Sequence, residues 1–197
     1  MYCIIGKSGA GKTTLLSLLS GLTEPNKGEI FYEDKSISSV DKYLFRSKYV
    51  GVAFQSYNLL TKYTAIENVV LSMDIAGYKT ENKNKRALEL LDSVGLDEDE
   101  ANRRILKLSG VQQQRVAIAR ALSYDPDIIL ADEPTGNLDA DTQSDILAIF
   151  RGLADQGKCV IIVSHSPEVA ALCDERYELV KLSGKSKRKK QSEINQK

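Results

Sequence analysis

The sequence predicts an α/β fold, a parallel sheet with helical connections and an all-helical insert in its middle. Three observations carry that expectation. A glycine-rich loop near the N-terminus joins an apolar, strand-like opening to a helix-like segment. Two short apolar runs, Ile128–Ala131 and Cys159–Val163, have the texture of strands buried on both faces of a parallel sheet. Between about Asn58 and Leu122 the apolar spacing is helical. Strands that alternate with helices need crossover connections, and crossovers make neighbouring strands parallel.

The elements follow in order. Tyr2-Cys3-Ile4-Ile5 reads as the first strand, and Thr14 to Ser20 as a helix that stops at Gly21, a residue suited to the left-handed C′ position. Gly28 to Tyr32 followed by Glu33-Asp34-Lys35 predicts a strand and turn, and Tyr49 to Phe54 another short strand ending at Gln55. Thr64, three residues before Glu67, supplies a capping box for the helix that opens there. Leu88, Leu91 and Val94 recur at helical spacing and stop at Gly95; Gln112 to Leu122 repeats the spacing through Val116, Ala119 and Leu122. Thr142 to Ala154 is amphipathic through Ile146, Ile149, Phe150 and Leu153. Ser166-Pro167-Glu168 opens a helix with a cap, a proline at its first position and an acid in its first turn. Arg176 to Leu182 is a closing strand.

At 197 residues the chain can bury one substantial core, and it is expected to form one domain with sub-parts. Hydrophobic residues at 42% and charged residues at 27% are ordinary for a globular protein. The net charge is zero but uneven: from Gly184 to Lys197 six Lys/Arg stand against one Glu, leaving +5 on the tail and −5 elsewhere. That basic tail, 184–197, is expected to be disordered and solubilising, with anionic lipid as the next reading and nucleic acid not expected. No apolar run approaches the ~18 residues of a membrane span, and Met1–Ile5 is too short for a secretory leader. The unpatterned Cys3, Cys159 and Cys173 are expected to be reduced, mostly buried thiols.

The chemistry concentrates in a few places. Gly6-Lys7-Ser8-Gly9-Ala10-Gly11-Lys12-Thr13 is a complete G-x-x-x-x-G-K-[ST] loop in a strand–loop–helix context. Gly6, Gly9 and Gly11 let successive amides converge on a phosphate, Lys12 reaches the β/γ oxygens, and the Thr13 hydroxyl suits Mg²⁺. Lys7, Ser8, Ala10 and Thr14 complete the nucleotide-binding set, and the helix N-terminus adds its partial positive charge. Asp132-Glu133 closes an apolar strand, which brings both carboxylates to its C-terminal edge: Asp132 for Mg²⁺, Glu133 to orient and deprotonate the attacking water. Gln55 ends a strand within reach of Mg²⁺ or that water. His165, the only histidine, follows the strand Val160–Val163 and is placed for the γ-phosphate.

With Leu108-Ser109-Gly110-Val111-Gln112 leading into a helix, these elements resemble the ATP-binding cassette (ABC) ATPases. The likeness covers residues 1 to about 183, in the expected order. It comprises Walker A (Gly6–Thr13), the Q-loop (Gln55), the signature (Leu108–Gln112), Walker B (Ile128–Glu133), the D-loop (Asn137-Leu138-Asp139) and the switch histidine (His165). Asp132-Glu133-Pro134-Thr135-Gly136-Asn137-Leu138-Asp139 is most similar to the branch of lipoprotein-release, macrolide-type and antimicrobial-peptide exporters. The resemblance implies a P-loop NTPase core in residues 1–183 with a helical subdomain at about 58–122, working with ATP and Mg²⁺. It implies that two cassettes pair head to tail, identical or paralogous. Ser109, Gly110, Gln112 and Asp139 then serve the partner's nucleotide, and transmembrane permease subunits receive the motion. A cytoplasmic location on the inner face of the membrane follows from the same resemblance.

Two departures qualify it. Val111 stands where the family signature has a second glycine; a β-branched residue there adds bulk beside the incoming phosphate and should weaken ATP-driven pairing and turnover. The family also places an antiparallel sheet edge and an adenine-stacking aromatic upstream of Walker A, whereas Met1 begins inside the strand that feeds the loop. The expectation is a truncated antiparallel β edge, an unpaired strand edge and poor adenine selectivity. The leading function is thus an ATP-hydrolysing cassette that powers an exporter. The alternatives are a nucleotide-binding regulatory module with little hydrolysis and a non-transport ABC protein acting on DNA or ribosomes.

Overall fold

A computed structural model describes residues 1–136 and 138–181. The chain begins with β1 (Tyr2–Ile5), α1 (Lys12–Leu19), the hairpin β2 (Phe31–Tyr32) and β3 (Lys35–Ser36), α2 (Lys42–Lys48) and β4 (Val50–Ala53). The helical insert follows as α3 (Ala65–Ala76), α4 (Lys83–Ser93), α5 (Glu98–Ala101) and α6 (Gly110–Leu122). The chain then returns to the sheet through β5 (Ile128–Asp132), α7 (Ala140–Asp155), β6 (Cys159–Ser164), α8 (Pro167–Ala171) and β7 (Glu175–Glu178).

The main sheet has the order β4-β5-β6-β1-β7, and every neighbouring pair is parallel. Its register aligns Ile5 with Ser164, Asp132 with Val163 and Ala53 with Ala131. The residues that follow these strand ends therefore leave along one edge of the sheet. In open α/β sheets that carboxyl edge is where ligands bind.

Alternation along the strands divides the core. Cys3, Ala53, Ile129, Ala131, Val160 and Ile162 pack on one side with Met73, Leu91, Ile118 and Phe150; Ile4, Val50, Leu130 and Val163 pack on the other with Leu16, Ile37 and Phe45. Both faces are covered, which is why these strands read as continuous apolar runs. Each fully buried Leu, Ile or Phe contributes about 1.5–3 kcal/mol to that assembly.

Several expectations are refined. The strand anticipated from Gly28 contracts to Phe31–Tyr32, closed by a two-residue turn in which Glu33 and Asp34 both have positive φ. This hairpin is the antiparallel strand pair among the described residues, beside an isolated antiparallel bridge between Thr64 and Arg104. The helix α2 was not evident from spacing: Asp41 caps it by accepting the Leu44 N–H at 2.8 Å, and Phe45 alone is buried. The closing strand is Glu175–Glu178, with all four residues exposed; Leu182, the basic tail and Asn137 lie outside the described residues. The cysteines depart from expectation, since Cys3 is buried, Cys173 half-buried and Cys159 exposed at the start of β6. The capping box at Thr64–Glu67 and the Ser166–Pro167 helix start form as anticipated.

Close packing of α6 on the sheet depends on Gly51. A Cβ there would collide with the carbonyl oxygen of Ala121 and sit 3.0 Å from the Pro126 Cγ. Gly51→Ala is expected to cost about 1–3 kcal/mol through overpacking, read as a lower urea midpoint with an unchanged slope.

Candidate functional site

The loop after β1 folds over the N-terminus of α1. Gly9 at φ 77° and Gly11 at φ 99° take left-handed conformations that an L side chain resists, and Lys7 O accepts the Ala10 N–H at 3.0 Å. Gly11 is the N-cap of α1 and offers no side-chain cap, so the first amides of the helix point outward without a side-chain acceptor. Such an end is a ready anion site. Lys12 donates its ammonium to Gly6 O at 2.8 Å and stands 3.7 Å from Glu133 Oε1. The loop opens on a cleft of about 640 Å³, lined by Ser8, Gly9, Gly11, Lys12, Thr13, Thr14, Gln55, Asp132, Glu133 and His165. Gly6 and Ala10 are half-buried and Lys7 is exposed in the same loop, and none of the three is among the residues lining the cleft.

Two carboxylates enter the cleft with different surroundings. Asp132 is buried at the end of β5 and accepts the Thr13 hydroxyl at 3.3 Å. Burial pushes its carboxyl above the usual range, a trend that the Thr13 bond and the Lys12 charge oppose. A desolvated carboxylate beside a hydroxyl is a hard oxygen donor pair. Thr13 and Asp132 therefore fit Mg²⁺, and the ion would neutralise phosphate charge there.

Glu133 follows at φ 46°, an uncommon conformation for a glutamate. That turn aims its carboxylate back across the sheet edge. Glu133 Oε2 accepts the Ser164 hydroxyl at 3.2 Å and the His165 N–H at 3.3 Å, and His165 Nδ1 lies 2.9 Å away. The carboxylate is thus fixed from β6 while its other oxygen faces Lys12.

The remaining candidates lie apart from this cleft. Ser109 is the N-cap of α6, in a capping box where Gln112 N–H donates to Ser109 Oγ at 3.2 Å and Ser109 N–H to Gln112 Oε1 at 2.8 Å. Gly110 and Val111 form the first turn, exposed and half-exposed. The Gln112 amide also donates to Glu100 Oε1. Asp139 caps α7 by accepting the Thr142 N–H at 3.0 Å and its hydroxyl at 2.9 Å, which holds its carboxyl below the usual range. Sequence reasoning missed Ser164 and Glu100. A serine at a strand end and a glutamate in a short acidic helix carry no local signal; only the fold brings them to Glu133 and Gln112.

A parallel sheet whose carboxyl edge carries a phosphate loop, a Mg²⁺-suited pair and a second carboxylate defines a P-loop ATPase cassette. The ABC transporter family profile matches residues 1–136. An ABC transporter ATP-binding protein of Bacillus subtilis, YclH, is 49% identical over 174 residues, covering 88% of this chain and 77% of the relative. The lipoprotein-releasing system ATP-binding protein LolD of Chromohalobacter salexigens is 44% identical over 172 residues, covering 85% and 72%. The dimeric post-hydrolysis structure of the ATP-binding cassette MJ0796, bound to ADP and Pi, superposes with a TM-score of 0.85 at 37% identity, covering 92% of this chain and 81% of that one. The chain belongs to the ABC transporter family, as one of its ATP-binding cassettes.

The buried charge at Asp132 gives a test of the cleft. Only the native side chain must keep a desolvated carboxylate ionised, so nucleotide-free protein loses stability relative to Asp132→Asn as pH rises through the raised titration range. Thermal melts without Mg·ATP should show the variant higher at neutral pH and the two converging in acid. Added Mg·ATP should raise the native melting temperature and leave the variant's nearly unchanged.

Proposed function

We propose that this chain hydrolyses ATP in composite sites made by two cassettes and so powers an exporter of the lipoprotein-release type. The observation that carries this reading is the division of the candidate residues. Lys12, Thr13, Asp132, Glu133, Gln55 and His165 share one cleft, while Ser109 and Gly110 stand outside it on an exposed helix end. Each half lacks what the other has. The dimeric state of the MJ0796 cassette supports pairing, and the LolD relatives support the branch and a membrane permease as partner. Among the described residues no helix is long and apolar enough to cross a membrane. That accords with a cassette working on the cytoplasmic face against separate membrane subunits.

In this reading the triphosphate takes the outward amides of the loop, and Lys12 exchanges Gly6 O for phosphate oxygens. Thr13 and Asp132 would hold Mg²⁺, which would neutralise phosphate charge, with Gln55 at the cleft's rim. Water attacks the γ-phosphorus as the bond to the β–γ bridging oxygen breaks; its proton passes to Glu133, whose carboxylate Ser164 and His165 keep aimed. The partner's Ser109 hydroxyl and α6 N-terminus supply donors to the γ-phosphate from the far side. Val111, in the first turn of α6, favours a second reading, a regulatory module that binds nucleotide with little turnover.

One experiment separates them: ATP hydrolysis against protein concentration. A rate per chain that climbs with concentration, and that Glu133→Gln lowers about 10²–10⁴-fold, is the expected result. Binding without turnover would favour the regulatory module. Val111→Gly is expected to raise turnover and to tighten ATP-dependent pairing by sedimentation; an unchanged rate and an unchanged assembly would remove the steric argument.

A further inference from the structure

The loop that follows Gln55 is held in a costly shape by one side chain from α6. Tyr57 at φ 60° and Asn58 at φ 51° are consecutive left-handed residues, neither of them glycine. Local bonds shape the turn: Tyr57 N–H donates to Phe54 O at 3.0 Å, and Asn58 N–H to Ser56 O at 2.6 Å. Two carbonyls are left facing α6. Arg120 fills that position, its Nη2 donating to Tyr57 O at 3.0 Å and its Nη1 to Asn58 O at 2.5 Å. Among the described residues no carboxylate pairs with Arg120. Burial also lowers its pKa, as desolvation of an uncompensated cation requires.

Arg120 is half-buried, and a cation drawn partly out of water without a counter-ion adds less to a fold than an apolar side chain of similar size would. What the guanidinium gains is geometry, because its planar fork fixes two adjacent carbonyls at once. The Tyr57 hydroxyl reaches the other end of the same helix, 3.5 Å from where a Cβ on Gly110 would stand. Gly110 and Arg120 are about 15 Å apart along α6 at 1.5 Å per residue. Tyr57 is therefore bonded through its carbonyl to the Arg120 end of α6 and brings its hydroxyl beside the Gly110 end, so the loop spans the helix.

We propose that Arg120 is a positioning residue for hydrolysis: by clamping the Tyr57–Asn58 carbonyls it fixes Gln55 at the cleft and makes its placement follow the α6 end that carries Ser109. This rests on the composite-site reading above. One cassette's own catalytic cleft is thereby linked to the half-site it offers its partner.

The test is a double-mutant cycle between Arg120→Met and Gln55→Ala, with Arg120→Lys as the conservative variant. Arg120→Met should lower kcat about 10–100-fold, the range that misplacement by about 1 Å produces. The Kd for Mg·ATP, measured in a Glu133→Gln background, should stay within about twofold, because the phosphate loop is untouched. Arg120→Lys, which keeps the charge and one carbonyl bond, should recover part of kcat. In the Gln55→Ala background Arg120→Met should cost little more, since a residue acting through Gln55 has nothing left to place. Losses that multiply across the two sites, or a kcat unchanged by Arg120→Met, would overturn the proposal. Where Arg120→Met fails to fold, the same cycle is read with Arg120→Lys. Concentration-dependent, Glu133-sensitive hydrolysis by the native chain is a separate control. Its absence would fell the composite-site reading, whereas its presence with an additive cycle would fell only this inference.

Discussion

The parallel ladder that sets Ile5 beside Ser164 and Asp132 beside Val163 is the constraint from which the rest of the structure follows. Because β1, β5 and β6 run in step, the phosphate loop emerges together with the Asp132–Glu133 turn and His165, although it precedes both by more than a hundred residues in the chain. A slip of one residue in any strand would turn its apolar set from one core face to the other. The covering helices forbid that, with Phe150 and Ile118 fully buried on one side and Leu16 on the other. Packing on both faces thus fixes register, and register fixes the cleft.

The cleft sets two opposite charges close together but gives each its own hydrogen-bond partners. Lys12 and Glu133 are both nearly buried, at 11% and 10% side-chain exposure, yet stand 3.7 Å apart rather than in direct contact. Lys12 is satisfied by a peptide carbonyl and Glu133 by donors from β6. Each charge is therefore held toward the cleft by neighbouring polar groups as well as by its opposite 3.7 Å away. In the proposed reading a site held this way would receive a polyanion with little rearrangement, the advantage of preorganised dipoles over water.

Much of this was legible in the sequence where the signal is local. The phosphate loop is a spacing of glycines between a strand and a helix, and the paired carboxylates announce themselves by closing an apolar run. The capping box at Thr64 is written in four consecutive residues. What escaped depends on distance or on a single contact. The helix α2 buries only Phe45 while Tyr43 and Leu44 stay exposed, so no period betrays it. Arg120 meets carbonyls 62 and 63 residues earlier, and the left-handed turn of Glu133 accompanies carboxylate bonds to Ser164 and His165 on a distant strand. Backbone strain of this kind leaves no trace in composition, and it gathers where geometry serves chemistry.

The two halves of the proposed composite site are built on different principles. The phosphate loop and its carboxylates sit on sheet edges locked by the core. The α6 end is exposed and is stabilised by its own capping box and by Glu100 through Gln112. A helix start preorganised by capping presents its free amides in fixed directions, but it tolerates little bulk where another molecule must come close. Val111 occupies that first turn. Its backbone N–H is retained, so the substitution acts through distance alone: two methyl groups stand where the family's glycine leaves backbone open to approach. Hydrogen bonds weaken steeply as donor and acceptor separate, so even a small standoff there reduces what α6 can contribute across the dimer. The cleft on this chain is unaffected by it. The composite-site reading therefore locates the cost of Val111 in pairing, on the partner's nucleotide rather than this chain's own.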